Sequence, residues 1–349
     1  MTTILVALLV FGVIIALHEF GHFAVAKLCG IKVNQFAIGM GPVLLKKQKG
    51  ETEYSLRLFP IGGFCAMEGE DAGSNDPRAF NRKPVWQRML VVVAGAIMNL
   101  ILGFVLIICT TLLYGDVITL KIARFPTDEE SGQSVSSSEA SGLQIGDEII
   151  SINGMRIFTD TDLSYQLQTA ESDTMNVIVR RNGEKLTLDN VTFHNSATQR
   201  RQDFYVTSEE LTISNVLSYS FFDTISTGRL IWLSLTELIT GKYGFQDLSG
   251  PVGIVTTIGE AASYGETLKQ HVTSVLSLAS FITINVGIFN LLPIPALDGA
   301  RFVFLAIEAI RHKPVPPEKE GMVHFAGMAL LFLVMIAVTI QDIFNLANK

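Results

Sequence analysis

The chain has 349 residues, 48% of them apolar and only 17% charged, with a mean hydropathy of +0.39. A soluble domain carries about 25% charged residues, so this deficit excludes an ordinary soluble protein and marks a membrane protein. A net charge of −7 speaks against a nucleic-acid partner, and Cys29, Cys65 and Cys109 show no paired spacing that would suggest a disulfide framework or a cysteine metal site.

The first predicted element is an apolar run over residues 4–26, long enough to span a bilayer at about 20 residues per crossing. Nothing charged precedes it, and Lys27 follows it. That order predicts a retained anchor with its N-terminus outside, rather than a cleaved signal. Residues 27–88 are rich in Lys and Arg, which predicts a cytoplasmic loop. Inside this loop, 33–45 and 53–67 partly alternate between glycine-rich turns, so a small antiparallel sheet is expected at the membrane. Irregular backbone at membrane depth survives only beside protein or a wet cavity, so the sheet would mark a cavity near the first helix.

Residues 89–113 form a second span without a charge. Residues 115–208 then read as an outer β domain. Strands are expected at 147–152, 175–180 and 185–188, Asn-Gly turns at 153–154 and 182–183, and a short helix at 162–169. The serine-rich tract 131–141 reads as a solvated loop. Residues 209–271 read as an amphipathic helix plus linker: 216–239 is apolar but interrupted by Asp223, Arg229 and Glu237, which favours a helix lying on the outer surface over a fifth span. A third span is expected at 272–292 and a fourth at 323–340. With four spans, the first and third run in the same direction, which brings His18 and Asp298 to similar depth. The expected division is therefore 1–114, 115–208, 209–271 and 272–349. Both termini and the β domain are expected outside the cell membrane.

Within the first span lies His18-Glu19-Phe20-Gly21-His22. Histidines four apart share one helix face and can bind one metal ion. Glu19 beside them can take a proton from a metal-activated water, and zinc lowers the pKa of such a water from 15.7 to about 7. An ionisable residue in a span costs about 2.5–3.5 kcal/mol, so a polar cluster there needs a compensating partner. A catalytic zinc site usually has three protein ligands. Asp298, on the turn broken by Pro293 and Pro295, is the preferred third ligand; a capping role for Asp298, or both roles, stays open, and His324 is the competing histidine.

These residues, together with Phe36-Ala37-Ile38-Gly39-Met40-Gly41-Pro42, Phe59-Pro60-Ile61-Gly62-Gly63, Leu248-Ser249-Gly250-Pro251-Val252-Gly253 and the run 290–299, occur in one order along the chain. In that order they resemble the bacterial site-2 protease family, in its RseP-like form. The resemblance implies zinc held by His18, His22 and Asp298, Glu19 as general base, and Asn290 holding substrate, although Asn290 could instead be a helix-packing residue. The segment 140–154, with Gly142-Leu143-Gln144-Ile145-Gly146-Asp147, resembles a bacterial protease PDZ domain in a single copy. It would bind an extended peptide or act as a steric filter.

The expected fold class is thus a polytopic α-helical membrane protein with four transmembrane helices, a membrane-associated β sheet and one extracytoplasmic PDZ domain. The expected function is zinc-dependent cleavage of transmembrane segments of single-pass proteins such as anti-sigma factors or signal-peptide remnants. The expected setting is the bacterial plasma membrane, with the lipid bilayer as a partner, no nucleic acid, and a monomeric state. A metal carrier would leave Glu19 without a task and should show inverted repeats of broken helices. A silent scaffold should have a decayed metal motif, and here the motif is intact.

Overall fold

A computed structural model describes residues 2–70, 74–128, 132–194, 202–244 and 248–347. The chain divides into two compact units, Met1–Leu106 with Leu235–Lys349, and Ile107–Ser234. In the first unit, α1 (Thr2–Leu28), α2 (Val85–Tyr114), α7 (Leu268–Leu291) and α9 (Pro317–Ala347) are the expected long apolar helices. Among the described residues, four helices are long and apolar enough to cross a membrane, and these supply them. Small residues let the helices approach closely, as packing between lipid-embedded helices requires. A Cβ on Gly21 of α1 would collide with the Ala94 carbonyl of α2, and one on Gly287 of α7 would lie 3.0 Å from the Ala96 carbonyl.

Between α1 and α2 run two long strands, β1 (Val33–Lys49) and β2 (Thr52–Met67). Residues Gln35–Ile38 of β1 pair on one side with Glu53–Leu56 and on the other with Gly63–Ala66. The hairpin therefore folds back on itself, and among the described residues no strand pairs with the outer side of the 63–67 segment, which is a free edge. Phe23 of α1 packs on Phe36 and Tyr54 of the sheet. The hairpin turn is tied down by Glu51, which accepts from Lys27 Nζ at 2.8 Å and Arg78 Nη1 at 2.6 Å. Just past the sheet, Ser74, Asn34 and Lys32 donate to Glu68 and hold its carboxyl down at about 2.

The segment 209–271 holds two helices rather than one helix and a linker: α5 (Ile213–Ile239) and α6 (Pro251–Ser263). Gly250 caps α6 and Pro251 starts it, the favoured place for proline. The buried Asp342 of α9 supplies the missing cap, accepting from Gly250 N at 3.3 Å and Gly253 N at 2.7 Å. Side chains at 250 or 253 would crowd that carboxylate, which is the physical reason for the Gly-Pro-Val-Gly run.

The second unit is built on a six-stranded sheet ordered β7-β6-β4-β3-β8, with β5 beside β4. Its strands are β3 (Asp116–Arg124), β4 (Glu148–Ile152), β5 (Met155–Arg156), β6 (Thr174–Arg181), β7 (Glu184–Thr192) and β8 (Tyr205–Glu210). Both Asn-Gly turns have positive φ at each residue, the left-handed geometry that tight hairpins demand. Alternating residues Ile149, Val177, Val179 and Val191 form the core with Leu163 and Leu167 of α4 (Asp160–Thr169). Fully buried Asp147 accepts both arms of the Arg181 guanidinium at 2.7 Å, fixing the Gly-Asp corner. Within the serine tract, Ser131 lies outside the described residues, and Ser136 and Ser138 are not solvated. Both are buried and donate to the buried carboxylate of Asp203, capping the one-turn helix α3 (Ser137–Ala140).

Candidate metal centre

The four-residue spacing on α1 brings the rings of His18 and His22 together edge-to-face with centroids 4.8 Å apart, and their Nε2 atoms lie 3.2 Å from one another. The third group arrives from the other end of the sequence. Helix α7 stops at Leu291, the chain turns through Pro293 to Leu297, and α8 (Asp298–Arg311) begins at Asp298 itself. Asp298 is the first helical residue; Leu297 is the cap, and no side chain closes the end. The Asp298 carboxylate is therefore available to a ligand. Its Oδ2 sits 3.2 Å from His18 Nε2 and 3.3 Å from His22 Nε2.

This convergence tests the fit of a metal ion. Asp298 Oδ2 is buried without a hydrogen bond, and the ligand atoms of His18, His22 and Asp298 all lie within 4.8 Å of one another. Two imidazoles and a carboxylate are a donor set suited to zinc. Gly95 of α2 leaves room beside them, since a Cβ there would run into both histidine rings. His22 Nδ1 donates to the Val91 carbonyl at 2.8 Å, which leaves its Nε2 lone pair free for a metal.

The Asp298 turn is fastened at several points. Ala296 takes a left-handed φ of 78°, and its N–H donates to His324 Nδ1 at 3.0 Å. A Cβ on Gly299 would strike the Leu291 and Leu292 carbonyls, so α8 can start here only with glycine at that position. Arg301 binds both the side chain and the carbonyl of Glu70, tying α8 to the sheet exit. His324 is thus a support for the turn and stands apart from the ligand atoms. The sequence pattern offers His324 only as a rival ligand, because a helix pattern does not reveal which turn a histidine meets.

Glu19 lies beside the histidines, against the sheet: a Cβ on Gly63 would sit 3.2 Å from its Cγ. The free edge of the 63–67 segment and the acid side chain thus share one place. Asn290 is half-buried in the last turn of α7, outside the triad. The fully buried Asn99 of α2, unmarked by any sequence motif, meets His18 Nδ1 at 3.3 Å. A cavity of about 480 Å³ opens next to Asp298, lined by Arg88, Arg301, Glu308, Glu320 and His324 among others.

Comparison with known proteins places the chain in a family. The profile of peptidase family M50 matches residues 6–334. A Clostridium acetobutylicum relative is 37% identical over 97% of each chain. The regulator of sigma-W protease RasP of Bacillus subtilis is 32% identical over 98% of each chain. The zinc metalloprotease RasP of Bacillus licheniformis is 31% identical over 98% of this chain and 99% of its own. The chain therefore belongs to peptidase family M50, the site-2 protease family, and is a bacterial membrane zinc metalloprotease.

Proposed function

We propose that this protease cuts peptide bonds inside transmembrane segments, with zinc held by His18, His22 and Asp298 and Glu19 as general base. The observation that carries the reading is the convergence, among helices long and apolar enough to cross a membrane, of two histidines and a carboxylate whose buried Oδ2 has no other hydrogen-bond partner. Zinc, when bound there, supplies a Lewis acid for the scissile carbonyl and an activated water. Glu19, next to the histidines, takes the proton from the attacking water and returns it to the departing amine.

A helical substrate hides its carbonyls in its own hydrogen bonds, so it must unwind before attack. The free edge of the 63–67 segment offers replacement hydrogen bonds beside Glu19, so an extended segment pairs there by strand addition. The charged cavity next to Asp298 provides the wet route that hydrolysis requires. Asn290, one turn before the break that carries Asp298, steadies the bound segment.

In this reading the substrates are single-pass proteins. The relatives named RasP make an anti-sigma factor a substrate class to test beside signal-peptide remnants. The β unit is a single PDZ domain over 115–208, on the outer side with both termini. It selects substrates either by binding peptide or by excluding bulky outer portions. The 27-residue α5 falls outside the four candidate spans and lies on the outer surface, and the enzyme works as a monomer.

The test is proteolysis in liposomes of a single-pass reporter whose cleavage position is read by mass spectrometry. Wild-type protein should cut within the apolar segment, and Glu19→Gln should retain zinc but not cut. Cleavage only outside the bilayer, or full activity of Glu19→Gln, would overturn the reading.

A further inference from the structure

We infer that Asn99 is a positioning residue for the metal centre: its side-chain oxygen accepts the Nδ1 hydrogen of His18 and so turns the His18 Nε2 lone pair toward the metal. The inference rests on the proposed ligand set. It begins with a pair of contacts that differ. Both histidines direct Nε2 into the triad, at 3.2 Å from each other and 3.2–3.3 Å from Asp298 Oδ2. A neutral imidazole that binds metal through Nε2 carries its hydrogen on Nδ1, and that hydrogen needs an acceptor. His22 has one in the Val91 carbonyl, at 2.8 Å. His18 Nδ1 instead faces the Asn99 side-chain amide at 3.3 Å.

As placed, the amide nitrogen points at His18 Nδ1, while the amide oxygen is buried without any hydrogen bond. That arrangement sets two donors against each other once His18 binds metal, and leaves an acceptor unsatisfied in the membrane interior. A half-turn of the terminal amide resolves both, because the oxygen then receives Nδ1–H. The two ends of an asparagine amide have nearly the same shape, so the hydrogen-bond network decides which way it faces.

The rest of Asn99 is held firmly. It is fully buried, its backbone carbonyl accepts from Thr283 Oγ1 at 3.2 Å, and a Cβ on Gly287 would sit 3.3 Å from its Cβ. Helix α7 thus presses on the backbone of α2 at this point and leaves the amide facing His18. A purely packing role would be served by an apolar side chain of the same size, without an unpaired polar group in hydrocarbon.

The experiment uses the full-length protein in detergent micelles, with zinc affinity measured by chelator competition and the cobalt form followed by its ligand-field bands. Asn99→Leu removes the acceptor and should weaken zinc about 10–100-fold. Asn99→Asp keeps an oxygen in place and should restore affinity to within a few-fold of wild type. Wild-type affinity in Asn99→Leu, or equal losses in the Leu and Asp variants, would overturn the inference. If Asn99→Leu does not fold, ¹⁵N spectra of histidine-labelled wild-type zinc protein give the answer directly. A His18 Nδ1 hydrogen with the downfield shift of a hydrogen bond to the Asn99 amide oxygen supports the assignment, and a His18 Nδ1 hydrogen without that shift refutes it. Failure of the wild type to bind zinc stoichiometrically would instead count against the ligand set.

Discussion

The two halves of the candidate metal centre are built in different ways. The α1 half is local: His18 and His22 meet because a helix repeats every 3.6 residues, and Glu19 comes with them. The Asp298 half is assembled by tertiary contacts. A left-handed Ala296 bonded to His324, a glycine pressed under two carbonyls, and an Arg301–Glu70 ion pair together hold the turn. The first half needs little beyond its own helix: the two ligands, Glu19, and Gly21 where α1 meets the Ala94 carbonyl of α2. The second depends on residues that touch neither metal nor substrate.

That contrast can be broken in stages. Glu19→Gln should give the largest effect, a fall of about 10²–10⁴ in cleavage rate with zinc content unchanged, checked by reporter proteolysis alongside metal analysis. Asp298→Ala should come next, weakening zinc by more than the roughly 10–100-fold expected of a supporting residue, measured by chelator competition. Gly299→Ala should cost about 1–3 kcal/mol, because backbone carbonyls cannot move aside as a side chain would; the thermal midpoint reads this. His324→Ala removes one hydrogen bond to the turn, worth about 0.5–1.5 kcal/mol, so zinc affinity should drop no more than about tenfold. A larger loss than in Asp298→Ala would reverse the roles assigned to these two residues.

The smallest effect on cleavage lies in the β unit, where Tyr219, Asp223 and Ser226 of α5 meet the start of α4. Thr159 donates to Asp223 at 2.9 Å, Tyr219 donates to Asp160 at 2.7 Å, and Ser226 donates to Asp162 at 2.7 Å. Burial, with Asp160 and Asp162 nearby, pushes the Asp223 carboxyl up to about 6 from an ordinary 3.8. Between those values the folded state keeps a proton that the unfolded state has lost. Stability therefore falls as pH rises from about 4 to about 6. Asp223→Asn should flatten this slope, leaving only the part that comes from Asp160, whose carboxyl burial also pushes up, and hydrogen exchange of α5 amides at pH 5 and pH 7 would show it. An unchanged slope would place the titration elsewhere.

Much of this was legible in the residues. Four long apolar runs gave four helices, the Asn-Gly pairs gave two hairpin turns, and the motif spacing gave the histidine pair. The strand at 116–124 is hidden, despite alternating Ile118, Leu120 and Ile122, because it runs on directly from the apolar α2, and the strand at 205–210 carries too few apolar residues to show a pattern. The α6 helix was missed because its cap is Asp342, 92 residues away. Asn99 was invisible for a similar reason: a single amide in an apolar run has no pattern until the facing helix is known.

The central claim is that one metal ion joins α1 to the Asp298 turn. Zinc-edge X-ray absorption of the purified full-length wild type and Asp298→Ala tests it most directly. Two imidazole nitrogens and carboxylate oxygen in the wild type, with the carboxylate contribution and most of the bound zinc lost in the variant, are the predicted result. A third imidazole in the wild type, or an unchanged shell and zinc content in Asp298→Ala, would contradict it.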